Sequence, residues 1–148
     1  MAPIVAEVDV ARPPDVVFLY VTDPSRFGEW QSGVVSAHIE GDGQAVGSRC
    51  VMTRRIGGKD RTSTSEITQL SPPRTWAIQG IDGPIRADVT VTVDPRQHGS
   101  QSHVLIQLDF RGYGIGKLIV PVVIAEARKE ALQSSQKLKS RLEGGVGG

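Results

Sequence analysis

The chain has a single cysteine, Cys50, which excludes an intramolecular disulfide. Aromatic residues make up only 5% of it, with two tryptophans, so few bulky side chains are available to fill a core. Neither charge is in excess: 17 Lys+Arg stand against 16 Asp+Glu. That argues against a nucleic-acid binder, which carries a basic surplus. It also removes the electrostatic reason to expect an anionic membrane as partner. The longest apolar run, Leu118 to Ala125, is broken by Pro121 and falls far short of the ~20 residues of a membrane span. The first ten residues, MAPIVAEVDV, have no basic region followed by a long apolar run and do not read as a signal peptide. These absences predict a soluble, cytoplasmic protein with no integral membrane contact. A length of 148 residues suits one domain, assigned to residues 1–143, with the Gly-rich residues 144–148 expected to be disordered.

What is present is mostly alternation. Ile4, Ala6, Val8 and Val10 alternate with Val5, Glu7 and Asp9, which predicts a half-buried strand. After Arg12-Pro13-Pro14, the apolar stretch Asp15 to Val21 predicts a short helix, opened by the proline pair. Asp23 and Pro24 then open a second short helix, as cap and first helical residue, ending near Trp30. Six strands follow: Val34–Glu40, Gly47–Ile56, Arg61–Leu70, Thr75–Ile81, Ile85–Val93 and His103–Phe110. Each is bounded by Gly, Pro or Asp turn chemistry at hairpin spacing, as in an antiparallel meander. From Gly116 to Glu143 a helix-forming composition predicts one long helix, kinked or started at Pro121. Ile124, Ala127, Ala131, Ser135, Leu138 and Leu142 form its inward stripe.

The two clearest strands show a sheet with one apolar face. Ile85, Ala87, Val89, Val91 and Val93 point one way, and Val104, Ile106, Leu108 and Phe110 do the same in the last strand. Asp88, Asp94, His103 and Asp109 lie on the other side. The apolar face must be covered, and only the long helix can do it. A helix about 10 Å wide cannot cover seven strands, and its stripe is built of small residues. Either the sheet collapses onto the helix or a hollow remains; the small stripe favours the hollow.

The order β-αα-ββββββ-α resembles the helix-grip fold of the START-like, or SRPBCC, superfamily, which includes the polyketide cyclase/dehydrase group. The segments PPDVVFLYVTDPSRFGEWQSGV, EITQLSPPRTWAIQG and LDFRGYGIGKLIVP carry the likeness, which spans about Ile4 to Glu143. The resemblance implies an α+β domain: a seven-stranded curved antiparallel sheet wrapped around a long C-terminal helix. It also implies an elongated cavity for a hydrophobic small molecule, a lipid or a polyketide-like ligand. It does not imply a reaction, since such folds host carriers, enzymes and regulatory modules.

The residues expected along the cavity are Phe27, Trp30, Cys50, Met52, Trp76, Ile78, Val89, Val91, Ile106, Leu108, Phe110, Ile124, Ala127, Ala131 and Leu138. Each alone is equally an ordinary core residue; as a set they predict an apolar ligand. An enzyme would need inward titratable groups, and the two clearest strands supply none. The weak catalytic candidates are Glu66, Glu29 and Arg54. Glu66 lies in RTSTSEITQL, where Thr or Ser occupies both faces, so its side is ambiguous. Against Arg54 or Arg49 it would form either a structural ion pair or an acid/base site. Cys50 lacks a neighbouring base to activate it, and His98 and His103 lack a third metal ligand. No cofactor is implied. Non-enzymatic binding is favoured; a cyclase/dehydratase-like enzyme using general acid/base catalysis, or a regulatory protein-binding module, remain alternatives. A monomer or weak homodimer is expected.

Overall fold

The computed structural model of the protein describes residues 3–56 and 58–144. Strand β1 (Ile4–Val10) leads to helix α1 (Pro14–Val21), a 3-10 turn (Pro24–Arg26) and helix α2 (Phe27–Trp30). Strands β2 (Val34–Ile39), β3 (Arg49–Ile56), β4 (Lys59–Ser71), β5 (Thr75–Gly80), β6 (Ile85–Arg96) and β7 (Gln101–Gly112) follow, then helix α3 (Gly116–Glu143). All seven strands form one antiparallel sheet in the order β1-β7-β6-β5-β4-β3-β2. The predicted element order therefore holds throughout, and the expected tail lies outside the described residues from residue 145 on.

Asp23 caps the 3-10 turn as expected, accepting a hydrogen bond from Ser25 N at 3.0 Å. Several predicted strand boundaries move. β6 continues past Val93 through Pro95 to Arg96. Beyond Val93, whose N–H still donates to the Arg74 carbonyl at 2.8 Å, it pairs with β7 alone, because β5 begins at Thr75, opposite Thr92. A proline is tolerated on such an open edge, since no strand waits for its missing N–H. The turn then falls at Gln97–Gly99, with Gln97 and His98 in the left-handed region at φ 52° and 57°. Helix α3 runs from Gly116 to Glu143, the expected bounds, and carries Pro121 in its interior rather than at its start. The carbonyl one turn before it belongs to exposed Lys117, where water can replace the lost hydrogen bond.

Helix α3 packs on β1 and β7, with lesser contact to β6 and α2. Its C-terminal end is tied to the β1–α1 corner: Lys139 Nζ donates to the Asp9 carbonyl at 2.7 Å and Arg12 Nη1 to that of Leu142 at 2.9 Å. Two apolar clusters result. One joins α1, α2, Trp76, Val91, Val104 and Leu138; the other joins Ile4, Ile85, Phe110 and the N-terminal half of α3.

On the convex face, charges are paired across neighbouring strands. Arg111 grips Asp88 through two bonds of 2.7 and 2.9 Å. His103 on β7 meets Asp9 at 2.6 Å and Glu7 at 3.2 Å, both on β1. The hydrogen bond to Asp9, then that to Glu7, raises the His103 pKa above its ordinary value of 6.5. A raised folded-state pKa stabilises fully below the unfolded value and is lost as pH rises through the folded one. The stability difference between wild type and His103→Gln should therefore shrink as pH rises from about 6 to about 9. Urea unfolding at several pH values checks this; a difference that grows with pH would contradict it.

Candidate functional site

The apolar concave face and α3 do not close on each other. Between them lies a hollow of about 90 Å³. Its wall takes Ile4 and Ala6 from β1, Met52 and Arg54 from β3, Trp76 and Ile78 from β5, and Val89 and Val91 from β6. Ile106, Leu108 and Phe110 of β7 continue it. Phe27, Trp30 and Gln31 close one end, and Ala127, Glu130, Ala131, Ser134 and Ser135 of α3 form the roof. The hollow follows from where α3 lies. The helix sits over β1 and β7, so α3 leaves the concave side of β3 to β5 largely uncovered. The small side chains at 127, 131 and 135 hold the space open.

Twelve of the fifteen expected cavity residues line this wall: Phe27, Trp30, Met52, Trp76, Ile78, Val89, Val91, Ile106, Leu108, Phe110, Ala127 and Ala131. Cys50, Ile124 and Leu138 do not. Cys50 and Leu138 are fully buried in the larger cluster, and Ile124 packs with Ile4, Ile85 and Phe110 in the smaller one. Burial pushes the Cys50 thiol up to about 11, against the opposing pull of the Arg54 charge, so it stays protonated.

The weak catalytic candidates separate. Glu66 points outward. Ile67 pairs with Ile78, a cavity residue, so its neighbour Glu66 faces the convex side, opposite Arg49 and Gln79. Glu29 also lies off the wall: its Oε1 accepts a hydrogen bond from the Tyr20 hydroxyl at 2.8 Å, joining α1 to α2. Burial, reinforced by that bond, raises the Tyr20 phenol to about 12. Arg54 is the one that faces inward. Its Nη2 donates to Gln31 Oε1 at 3.2 Å, and Glu130 lines the same wall. Burial lowers the Arg54 pKa, opposed by the negative charge of Glu130; the guanidinium remains a cation. Glu130 reaches across to the α2–β2 turn, where its Oε2 lies 3.5 Å from the place a Cβ on Gly33 would occupy. Trp30 and Phe27 meet edge to face at 6.1 Å, and the Trp30 Nε1 is buried with no partner among the described residues.

Gln31, Glu130 and Ser134 do not stand out in the sequence. Gln31 directly follows Trp30 at the end of a short helix, and Glu130 lies between the small residues Ala127 and Ala131. On a helix with polar residues all along one side, nothing marks that glutamate as inward.

The polyketide cyclase / dehydrase and lipid transport family model matches residues 1–143. The chain belongs to this family. Solved structures with the same fold include TTHA0849 from Thermus thermophilus, at TM-score 0.76 and 16% identity, covering 95% of this chain and 96% of that one. The Zhui aromatase/cyclase from Streptomyces sp. R1128 follows at TM-score 0.73 and 15% identity, with 97% of each chain covered. A START superfamily protein from Mycobacterium smegmatis matches at TM-score 0.74 and 13% identity, over 96% of this chain and 97% of that one. At these identities the likeness shows the helix-grip fold alone. No functionally curated protein shows significant sequence similarity to the chain. Among the described residues, no helix is long and apolar enough to cross a membrane.

Proposed function

We propose that this family member binds a hydrophobic small molecule in the cavity between sheet and α3, with the twelve apolar and aromatic wall residues as its contacts. The observation that carries this reading is the composition of the wall. Apolar side chains from five strands and from all three helices converge on one hollow, and its polar groups gather at one end, around Arg54, Gln31 and Glu130. A mostly apolar pocket with a few placed polar groups is the usual form of a small-molecule site. The family's description, which joins polyketide cyclisation to lipid transport, supports the same class of ligand.

Thermal unfolding in the presence of a panel of lipids and aromatic polyketides tests it. A ligand at one hundred times its Kd stabilises by about 2.7 kcal/mol, which a melting scan resolves easily. No upshift with any member of the panel sinks the proposal. Chemistry on the bound molecule is the second reading, and it rests on Glu130 rather than Glu66, because among the described residues Glu130 alone brings a carboxylate to the wall of this hollow. A mass change in a bound ligand that disappears in Glu130→Gln would favour it over simple binding.

A further inference from the structure

Beside the inner hollow lies an outer chamber of about 300 Å³, lined by Ile56, Asp60, Arg61, Ser63, Ile85 and Phe110 among others. Arg54 and Phe110 belong to both walls, so the two spaces adjoin. The register of β3 and β4 sets Arg61 directly opposite Arg54. Both face inward, in line with Met52 on β3 and Ser63 on β4.

Two like charges opposite each other across a ladder oppose folding, and partial burial adds desolvation to that cost. Like charges also face each other on the convex side, Arg86 opposite Arg111 and Asp88 opposite Asp109, but there Arg111 binds Asp88 and so offsets the repulsion. Arg55, Arg74 and Arg111 each hold a carboxylate, at 2.8, 3.0 and 2.7 Å. Arg54 has partial compensation from Gln31 and from the charge of Glu130. Arg61 has none of this kind: its Nε is buried with no partner among the described residues. Its sequence neighbour Asp60, though it borders the same chamber, is held by Arg55. The junction of the chambers therefore sets two cations against one anion, with unused guanidinium donors beside an apolar cavity.

We infer that the occupant of this cavity carries a carboxylate that is seated between Arg54 and Arg61, with its apolar body in the inner hollow. The inference rests on the ligand-binding reading above and narrows it to apolar carboxylic acids. A guanidinium fork binds a carboxylate through paired, charge-assisted bonds. A single negative charge also balances the junction, which a neutral ligand cannot do.

Both tryptophans of the chain, Trp30 and Trp76, stand on the cavity wall and serve as the reporter. Their fluorescence is followed while the full chain is titrated at neutral pH with decanoic acid and, separately, with 1-decanol. Wild type should bind the acid at least about tenfold more tightly than the alcohol. In Arg61→Gln that ratio should fall to near one. Arg61→Lys, which keeps the charge and loses the planar fork, should retain part of it. Without ligand, Arg61→Gln should melt at a higher temperature than wild type, because the repulsion from Arg54 is relieved; the same scan shows that the variant folds. Equal binding of acid and alcohol by wild type, or an undiminished ratio in Arg61→Gln, overturns the carboxylate seat and leaves the apolar cavity reading standing. Binding of neither probe overturns the inference alone if another apolar compound raises the melting temperature, and overturns both if none does.

Discussion

Trp76→Ala should cost about 3–5 kcal/mol of stability, as removal of large buried aromatics does. A domain of this kind has roughly 5–15 kcal/mol in total, so the variant should be visibly compromised. Trp76 is 1% exposed and stands at the centre of the larger core cluster. Its ring meets Phe27 edge to face at 5.9 Å, and its Nε1 donates to Gln44 Oε1 at 3.0 Å. Gln44 in turn donates to the Thr22 carbonyl at 2.9 Å, so the tryptophan also fixes the β2–β3 loop against the end of α1. Trp76→Phe keeps most of the packing and loses the indole hydrogen bond, and should cost only about 1–2 kcal/mol. Urea unfolding of the two variants checks both values. A loss under about 1 kcal/mol for Trp76→Ala would mean that the ring is not closely packed. Because the same ring lines the cavity, Trp76→Ala should also weaken whatever ligand wild type binds.

Gly116→Ala should destabilise by at least about 3 kcal/mol, at the upper end of overpacking costs. An added Cβ there would overlap the Pro84 carbonyl, and both groups are backbone, so neither can rotate away. Pro84 is itself held, its carbonyl accepting from Tyr113 N at 2.9 Å. Gly112 is equally confined, since a Cβ on it would lie 2.7 Å from the Gly116 carbonyl oxygen. Gly114 is the control. Its φ is +58°, but a Cβ would meet nothing within 4 Å. Gly114→Ala should therefore cost only the left-handed penalty, about 1 kcal/mol. Equal losses for the two variants, measured by urea unfolding, would show that the close approach of β7, α3 and Pro84 is not what these glycines serve.

The run of glycines at 112, 114 and 116 shows how far a pattern can be read. Their spacing marks a sharp turn between the last strand and the helix, and the turn is there. That Gly116 answers to the neighbouring β5–β6 hairpin, Gly112 to the start of α3 and Gly114 to its own φ is a matter of packing, invisible in the string. The strands behave similarly. Alternation in Ile85 to Val93 and Val104 to Phe110 identifies the apolar face, because each side chain type is consistent along the run. In β4, Thr and Ser occupy both faces, so hydropathy leaves Glu66 undecided. Its pairing opposite Arg49 and Gln79 turns it outward, and removes it from any acid/base role in the cavity.

Local chemistry alone accounts for the element order, the caps, the small stripe of α3 and most of the cavity wall, since each depends on residues close in sequence. The polar end of the cavity does not. Glu130 is inward only because α3 lies over β1 and β7. Arg54 and Arg61 face each other only because the β3–β4 hairpin closes in that register. A slip of one residue would turn one of them to the opposite face, and no pattern in Arg54 to Arg61 forbids it. The closing of that hairpin chose the register, and so chose which charges the cavity holds.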